Sequence, residues 1–287
     1  MAKIVDGREI AKRINDSVAE SIRLCKSGLG YSPKLVSLLA GESKNAELYV
    51  NMQKRAAELV GIDFERHSLD GNISENELLS IIRKFNSDKT VTSIIIQKPL
   101  PDGINHNRIA ACISHEKDAE GIHPYNMGMI VRKESEIVPC TPGAVMEILR
   151  VHGIDLYGKE AVIIGHSAIV GKPLSVMMLN EMATTTVCHI GTFENGTLQG
   201  HVKRADILIV AVGKSEFIGG GWIKEGAVVI DVGINKTPGG IVGDVEFSSA
   251  VKKASLITPV PGGVGPVTVS ILMRNVLKAY KRQNGST

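Results

Sequence analysis

The chain has 287 residues, of which 43% are apolar and 22% charged, and its 33 basic and 30 acidic side chains leave a formal charge of +3. These values exclude a disordered chain and a disulfide-rich miniature, and the length suggests two domains. The basic residues are scattered and aromatics total only 4%, which excludes the basic stripe with interleaved rings of a nucleic-acid binder.

Taken in chain order, the opening stretch MAKIVDGREIAKRI has no long apolar core, so no signal peptide is expected. No apolar run approaches the roughly 20 residues that span a bilayer. Residues 10–25 carry helical periodicity that stops at Gly28, and the short apolar run 34–41 reads as a buried strand. The spacing predicts a helix over 44–60 closed by Gly61, then a helix from a Ser74/Glu77 capping box to Phe85. Residues 92–101 are strand-like and end sharply in prolines. The second half alternates more cleanly. Residues 160–165 form a strand, followed by a glycine-rich turn and a helix opened by Pro173. The runs 184–190, 205–213 and 226–234 are continuous and β-branched, as expected of parallel strands buried on both faces. Residues 255–260 are a further candidate strand, and 267–280 a closing helix. This alternation predicts a parallel α/β architecture, with a domain junction between Asp118 and Cys140.

Cys25, Cys112, Cys140 and Cys188 are far apart with no CxxC pair, which fits a reducing cytoplasm. The eight histidines form no metal-type pair, so no metal site is expected. The segment Gly165-His166-Ser167-Ala168-Ile169-Val170-Gly171-Lys172-Pro173 lies between a strand and a helix, where backbone N–H groups and the helix dipole favour a pyrophosphate. Its glycine spacing is not the usual GxGxxG, and the competing reading is a tight turn in a cofactor-free domain. The next strand ends in Cys188-His189-Ile190, which offers neither the acidic residue of an NAD site nor the arginine of an NADP site.

Tyr49 and Gln53 share one helix face. On these residues alone the preferred reading is a solvated helix with a half-buried tyrosine. Gln97 and Lys98 leave a strand end beside a rigid turn, and residues 118–126 add carboxylates and an imidazole in a loop. Residues 258–266 hold three glycines and three prolines in nine, a stiff backbone that lets a ligand approach the main chain closely.

Tyr49-Val50, Gln97 with Pro99-Leu100-Pro101, His123-Pro124-Tyr125-Asn126, Cys140-Thr141-Pro142, the turn 165–173, Asp231-Val232-Gly233-Ile234-Asn235, Gly243-Asp244-Val245 and Pro259 to Pro266 occur in that order. Together they resemble the methylenetetrahydrofolate dehydrogenase/cyclohydrolase family along nearly the whole chain. The resemblance implies a parallel-sheet N-terminal folate domain over 1–120, with 268–287 a candidate to return to it. It also implies a Rossmann-type NAD(P)-binding C-terminal domain over 140–267. A cytoplasmic homodimer is implied, with folate in the cleft between domains and neither nucleic acid nor membrane as partner.

In such a family a hydride passes from 5,10-methylenetetrahydrofolate to NADP or NAD, and water then opens the methenyl cation to 10-formyltetrahydrofolate. The catalytic group carried over is Tyr49, Gln53, Gln97 and Glu120. The substrate would also touch Ile96, Lys98 and the wall Pro261-Gly262-Gly263-Val264-Gly265, and the cofactor would touch Gly165, His166, Ser167, Ile190 and Ile234.

Four of these positions depart from the family pattern. Gln53 stands where the family has its catalytic lysine, and a neutral amide is a poor proton carrier. Glu120 stands for an aspartate, His166 for an arginine and Ile190 for a serine. The expectation is therefore a dehydrogenase with weakened or absent cyclohydrolase activity and a weakened preference for NADP. A non-catalytic folate-binding paralogue is the alternative.

Overall fold

The computed structural model describes residues 2–41 and 43–285. The described elements are β1 (Lys3–Ile4), α1 (Gly7–Leu29), β2 (Lys34–Ala40), α2 (Lys44–Val60), β3 (Asp63–Leu69), α3 (Glu75–Ser87), β4 (Ser93–Ile96), α4 (His106–Cys112), α5 (Pro124–Val131) and α6 (Cys140–Val151). They continue with β5 (Glu160–Ile164), α7 (Gly171–Asn180), β6 (Thr184–Cys188), α8 (Ile190–Glu194), α9 (Leu198–Arg204), β7 (Ile207–Val210), β8 (Val228–Asp231), β9 (Asn235–Thr237), β10 (Gly240–Val242), α10 (Phe247–Ala250), β11 (Leu256–Ile257) and α11 (Val264–Gln283). The chain divides into two compact units. One comprises Lys12–Val138 with the chain from Val269 onward, and the other comprises the chain up to Ala11 with Pro139–Thr268.

In the first unit, β2 lies between β3 and β4 in a parallel sheet, with Leu38 opposite both His67 and Ile96. The apolar runs of β2 and β4 are buried because they are covered as well as paired. Val36, Leu38, Ile94 and Ile96 pack with Leu78 and Ile82 of α3, each fully buried aliphatic contributing about 1.5–3 kcal/mol. Helix α3 opens on the capping box read from the sequence, Ser74 Oγ accepting the Glu77 N–H and Glu77 accepting the Ser74 N–H. Strand β3 escaped sequence reading because DFERHSL has no apolar run. It is an edge strand, so only one of its sides is paired. Residues 118–126, read as a loop, end in a helix instead. His123 is the N-cap of α5, its ring nitrogen accepting the Tyr125 N–H at 3.0 Å, and Pro124 occupies the first turn, where its missing N–H costs nothing. The later half of α11 belongs here: Asn275 Nδ2 donates to Ala119 O, and the buried Tyr280 hydroxyl donates to Tyr31 O at 2.6 Å.

The second unit is a six-stranded parallel sheet in the order β1-β11-β8-β7-β5-β6. Its central strands β5, β7 and β8 are buried as their β-branched runs suggest, but β6 is an edge strand whose threonines are partly exposed. That corrects the expectation that 184–190 is buried on both faces. The domain range 1–120 also needs revision at its start. Lys3 and Ile4 pair with Leu256 and Ile257, so the first residues join this sheet. A two-residue strand carries no local signal for a partner some 250 residues away. Helix α11 starts at Val264, three residues before the position expected, because Pro266 is tolerated in a first helical turn.

Candidate active site

Ligand sites of parallel sheets gather at the carboxyl ends of the strands. Gln97 continues β4 by one rung, its N–H bonding Leu38 O at 2.9 Å. Its buried side chain donates from Nε2 to Gln53 Oε1 at 2.7 Å and to Ser37 Oγ at 3.0 Å. Gln53 reaches that partner because α2 buries one stripe: Ala46, Val50, Gln53, Ala57 and Val60 are each under 8% exposed, at the three- and four-residue spacing of one helix face. Tyr49, one turn earlier, is 40% exposed. Lys54 is one position round the helix, outside the stripe, and its ammonium pairs with Glu58 at 3.8 Å. The hydrogen-bonded partners of this amide pair are thus all neutral. Gln53 Nε2 and Gln97 Oε1 have no protein partner among the described residues, which leaves an amide donor group and an amide acceptor oxygen for a ligand.

Glu120 lies beside the same strand. Ile94 N–H bonds Lys117 O at 2.8 Å, which runs residues 117–120 along β4, and the Glu120 carboxyl accepts the Ile96 N–H. Burial, and after it the like charge of Asp118, push the Glu120 carboxyl up to about 7, against the pull of Lys98 and that N–H. Asp118 is buried and accepts the N–H groups of Gly121 at 3.0 Å and His123 at 2.8 Å and the Asn126 Nδ2 at 2.8 Å. It therefore pins the loop that carries Glu120. Lys98 is exposed, whereas the Ile96 side chain packs in the apolar cluster, so Ile96 offers the site its backbone.

In the other unit, the turn after β5 is built from backbone. Gly165 has φ +119°, and a Cβ there would lie 2.3 Å from Ala211 O, while a Cβ on Gly171 would lie 1.9 Å from Gly165 O. Ser167 closes the turn, its Oγ accepting the Val170 N–H at 3.1 Å and its carbonyl the Lys172 N–H at 3.1 Å. Beside the turn is a pocket of about 380 Å³ whose walls include Gly165, His166, Ser167, His189, Ile190 and Lys214. The rings of His166 and His189 meet edge to face at 5.4 Å, and Lys214 Nζ lies 4.7 Å from the Phe217 ring centre. A turn with no room for a Cβ at Gly165 or Gly171, opening on a mixed apolar and basic pocket, fits a dinucleotide. Ile234, a residue expected to touch the cofactor, is 64% exposed and is not among the pocket's walls.

Two buried carboxylates shape the far side of that pocket. Asp244 accepts the N–H groups of Val212, Gly213 and Lys214 at 2.6–2.9 Å. Asp231 accepts those of Gly233, Asp244 and Val245 at 2.8–3.0 Å. Burial pushes Asp231 up to about 6 despite those three bonds. Gly243 is required here, since a Cβ would sit 1.8 Å from Asp231 Oδ2. In the glycine-proline stretch, Gly262 and Gly263 pass beneath Gly7. The Gly7 N–H bonds Gly262 O at 3.0 Å, and a Cβ on Gly7 would meet Gly263 O at 1.8 Å. Pro261 is exposed, Gly262 and Gly265 partly so, and Gly263 and Val264 are buried.

Sequence reading missed Ser37, Asp118 and Asp244 as anchors of their loops, and the Lys214/Phe217 wall. A serine inside the apolar run KLVSLLA was the available signal for Ser37. Nothing local marks Lys214 or Phe217.

Residues 5–120 match the catalytic domain of tetrahydrofolate dehydrogenase/cyclohydrolase, and residues 139–284 match its NAD(P)-binding domain. The chain is 46% identical over 282 residues to the bifunctional protein FolD of Bacillus subtilis, covering 98% of each. Among solved structures it is similar to the bifunctional methylenetetrahydrofolate dehydrogenase/cyclohydrolase of Campylobacter jejuni, with 42% identity, a TM-score of 0.95 and coverage of 98% and 99%. The Trypanosoma brucei enzyme, solved with NADP and an inhibitor, has 38% identity, a TM-score of 0.92 and 98% coverage of each chain.

Proposed function

Because this chain belongs to the tetrahydrofolate dehydrogenase/cyclohydrolase family of one-carbon folate metabolism, we propose that it oxidises 5,10-methylenetetrahydrofolate to 5,10-methenyltetrahydrofolate and hydrates the product poorly. Its cofactor is NAD(P), which supplies the hydride acceptor when bound at the turn 165–171. The observation that carries the reading is the neutral cluster of Gln53, Gln97 and Ser37, with Lys54 turned out to Glu58.

Hydride departure leaves positive charge shared between the two nitrogens that flank the methylene carbon. Neutral amides at Gln53 and Gln97 do not oppose that charge, and a Glu120 carboxylate favours it. Tyr49 offers a ring face to the aminobenzoate. Gln53 Nε2 and Gln97 Oε1 supply the free donor and acceptor to the substrate's polar atoms, and Glu120 holds the pterin with Lys98 and Ile96 nearby.

Hydration is a different demand. Water adds to the methenyl carbon and loses a proton, and the carbon–N5 bond then breaks as N5 gains one. An amide can neither accept nor release that proton near neutral pH. The weak hydrolase follows from this single position.

The altered pair His166 and Ile190 makes NAD usable beside NADP, and the protein acts as a cytoplasmic homodimer. The test is an assay of methylenetetrahydrofolate oxidation with NAD and NADP in parallel, together with methenyltetrahydrofolate hydrolysis. Oxidation with hydrolysis near the uncatalysed rate is expected, and Gln53→Lys should raise hydrolysis at least about tenfold, within the 10²–10⁴ range of general acid–base catalysis. Rapid hydrolysis by the unaltered protein, or folate binding without turnover on either dinucleotide, would overturn the reading.

A further inference from the structure

Two imidazoles meet at the point of the dinucleotide pocket where a Rossmann βαβ unit places the adenosine ribose. His166 is in the phosphate turn and His189 directly follows β6, the strand whose end meets that ribose. Their rings are 5.4 Å apart, so one small anion can reach both. Lys214 is the third basic group of the lining, held over Phe217 and Phe193 at 4.7 and 5.7 Å. No carboxylate is among the residues that line this pocket. The charged or titratable groups elsewhere on the surrounding elements are Glu160 on β5, Lys172 on α7, Glu194 on α8 and His201, Lys203 and Arg204 on α9, with Glu216 in the loop between Lys214 and Phe217, and none of them is in the lining. The Cys188 thiol is buried at the end of β6, with its proton held more tightly than usual by that burial.

We propose that His166 and His189 together form a proton-dependent receptor for the 2′-phosphate, so that this protein selects between NADP and NAD according to pH. The proposal rests on the reading that this pocket takes NAD(P) and deepens it. Arginine would hold a phosphate at every physiological pH, because it does not lose its charge. Imidazole changes charge between about pH 5 and 8. As a neutral pair the two rings offer little more than one donor each, and the space suits the bare ribose of NAD. When protonated they offer two charged donors to a phosphate that is itself mostly dianionic above about pH 6. Binding of NADP therefore takes up protons, whereas binding of NAD does not. Lys214 is a further basic group of the lining, so NADP binding weakens with rising pH without vanishing. Ile190, which is 65% exposed at the pocket edge, adds no polar competitor for the rings.

The experiment is calorimetric titration of the whole protein with NADP and with NAD at pH 6, 7 and 8.5, each in two buffers of different ionisation enthalpy. The expected result is a ratio of NADP to NAD affinity that falls at least about tenfold from pH 6 to 8.5, the equivalent of one lost charged hydrogen bond. Proton uptake should accompany NADP alone. His166→Asn and His189→Asn should each flatten the dependence of that ratio on pH. His166→Arg should raise NADP affinity and remove most of its pH dependence. A ratio constant across the pH range, or one whose slope survives both asparagine variants, would overturn the proposal while leaving the dinucleotide reading intact. Failure of both dinucleotides to bind at any pH would overturn both.

Discussion

The ends of β4 and β5 are built from different materials. At β4 the groups offered to a ligand are side chains, Gln97, Gln53 and Glu120, brought from a strand, a helix and a loop. At β5 they are backbone, in a turn so tight that Gly165 and Gly171 leave no room for a Cβ. A site made of side chains can change its chemistry by one substitution while its packing survives, and the α2 stripe shows this by burying an amide at Gln53. A site made of backbone cannot, because its glycines are the structure.

The sharpest way to break that contrast is Gly171→Ala. The added carbon would overlap Gly165 O at 1.9 Å, so the turn must open. Affinity for both dinucleotides should fall at least about a hundredfold, or roughly 3 kcal/mol, while folate affinity holds in parallel titrations. Retention of dinucleotide affinity within about fivefold would show the turn to be more adaptable than its geometry allows.

Glu120 comes next. Its folded pKa of about 7 stands above the ordinary 4.5, so the fold disfavours its charged form. Stability linked to it is fully present below about pH 4.5 and is lost as pH rises through 7, by up to about 3 kcal/mol. Asp231, raised from 3.8 to about 6, acts in the same direction. Urea unfolding at pH 4.5 and 8 should show this loss, and Glu120→Gln should reduce it by most of the Glu120 share. An unchanged difference would mean that the carboxyl is better solvated than its surroundings indicate.

Asp118→Asn removes the ionised acceptor of three hydrogen bonds and should cost about 2 kcal/mol in the same unfolding assay. Without the like charge beside it, Glu120 should titrate at lower pH, which the pH profile of methylenetetrahydrofolate oxidation reads. A profile unmoved by the substitution would leave Asp118 a purely structural anchor. The smallest effect belongs to Lys54→Ala. An exposed pair with Glu58 contributes about 0.3–0.5 kcal/mol, and neither activity should move by more than about twofold. A larger fall in hydrolysis would show that Lys54 had taken over the proton.

Much of the fold was legible because local periodicity carries it. The Ser74/Glu77 cap, the close of α2 at Gly61, and β5, β7 and β8 follow from spacing within a dozen residues. The misses have physical causes of their own. β3 is mostly charged and polar residues with no apolar run, β1 is two residues long, and α5 starts where a histidine cap and a proline resemble a turn. Of the candidate active site, the identities at Tyr49, Gln53, Gln97 and Glu120 were readable, and so was the absence of an ammonium at position 53. The pairing of the two amides and the neighbours of Glu120 were not.

By itself the sequence determined the alternation of strands and helices, the glycine turn and the chemical character of each candidate residue, since periods of 2 and 3.6 and the steric freedom of glycine act over short stretches. Only the tertiary structure decided that Ser37, Gln53 and Gln97 share one buried network, that Asp118 acts on Glu120, and that His166, His189 and Lys214 line one pocket. Apart from Asp118 and Glu120, whose shared burial the fold decides, these are encounters between residues far apart in the chain. They depend on how sheet and helices pack, and no local pattern encodes that.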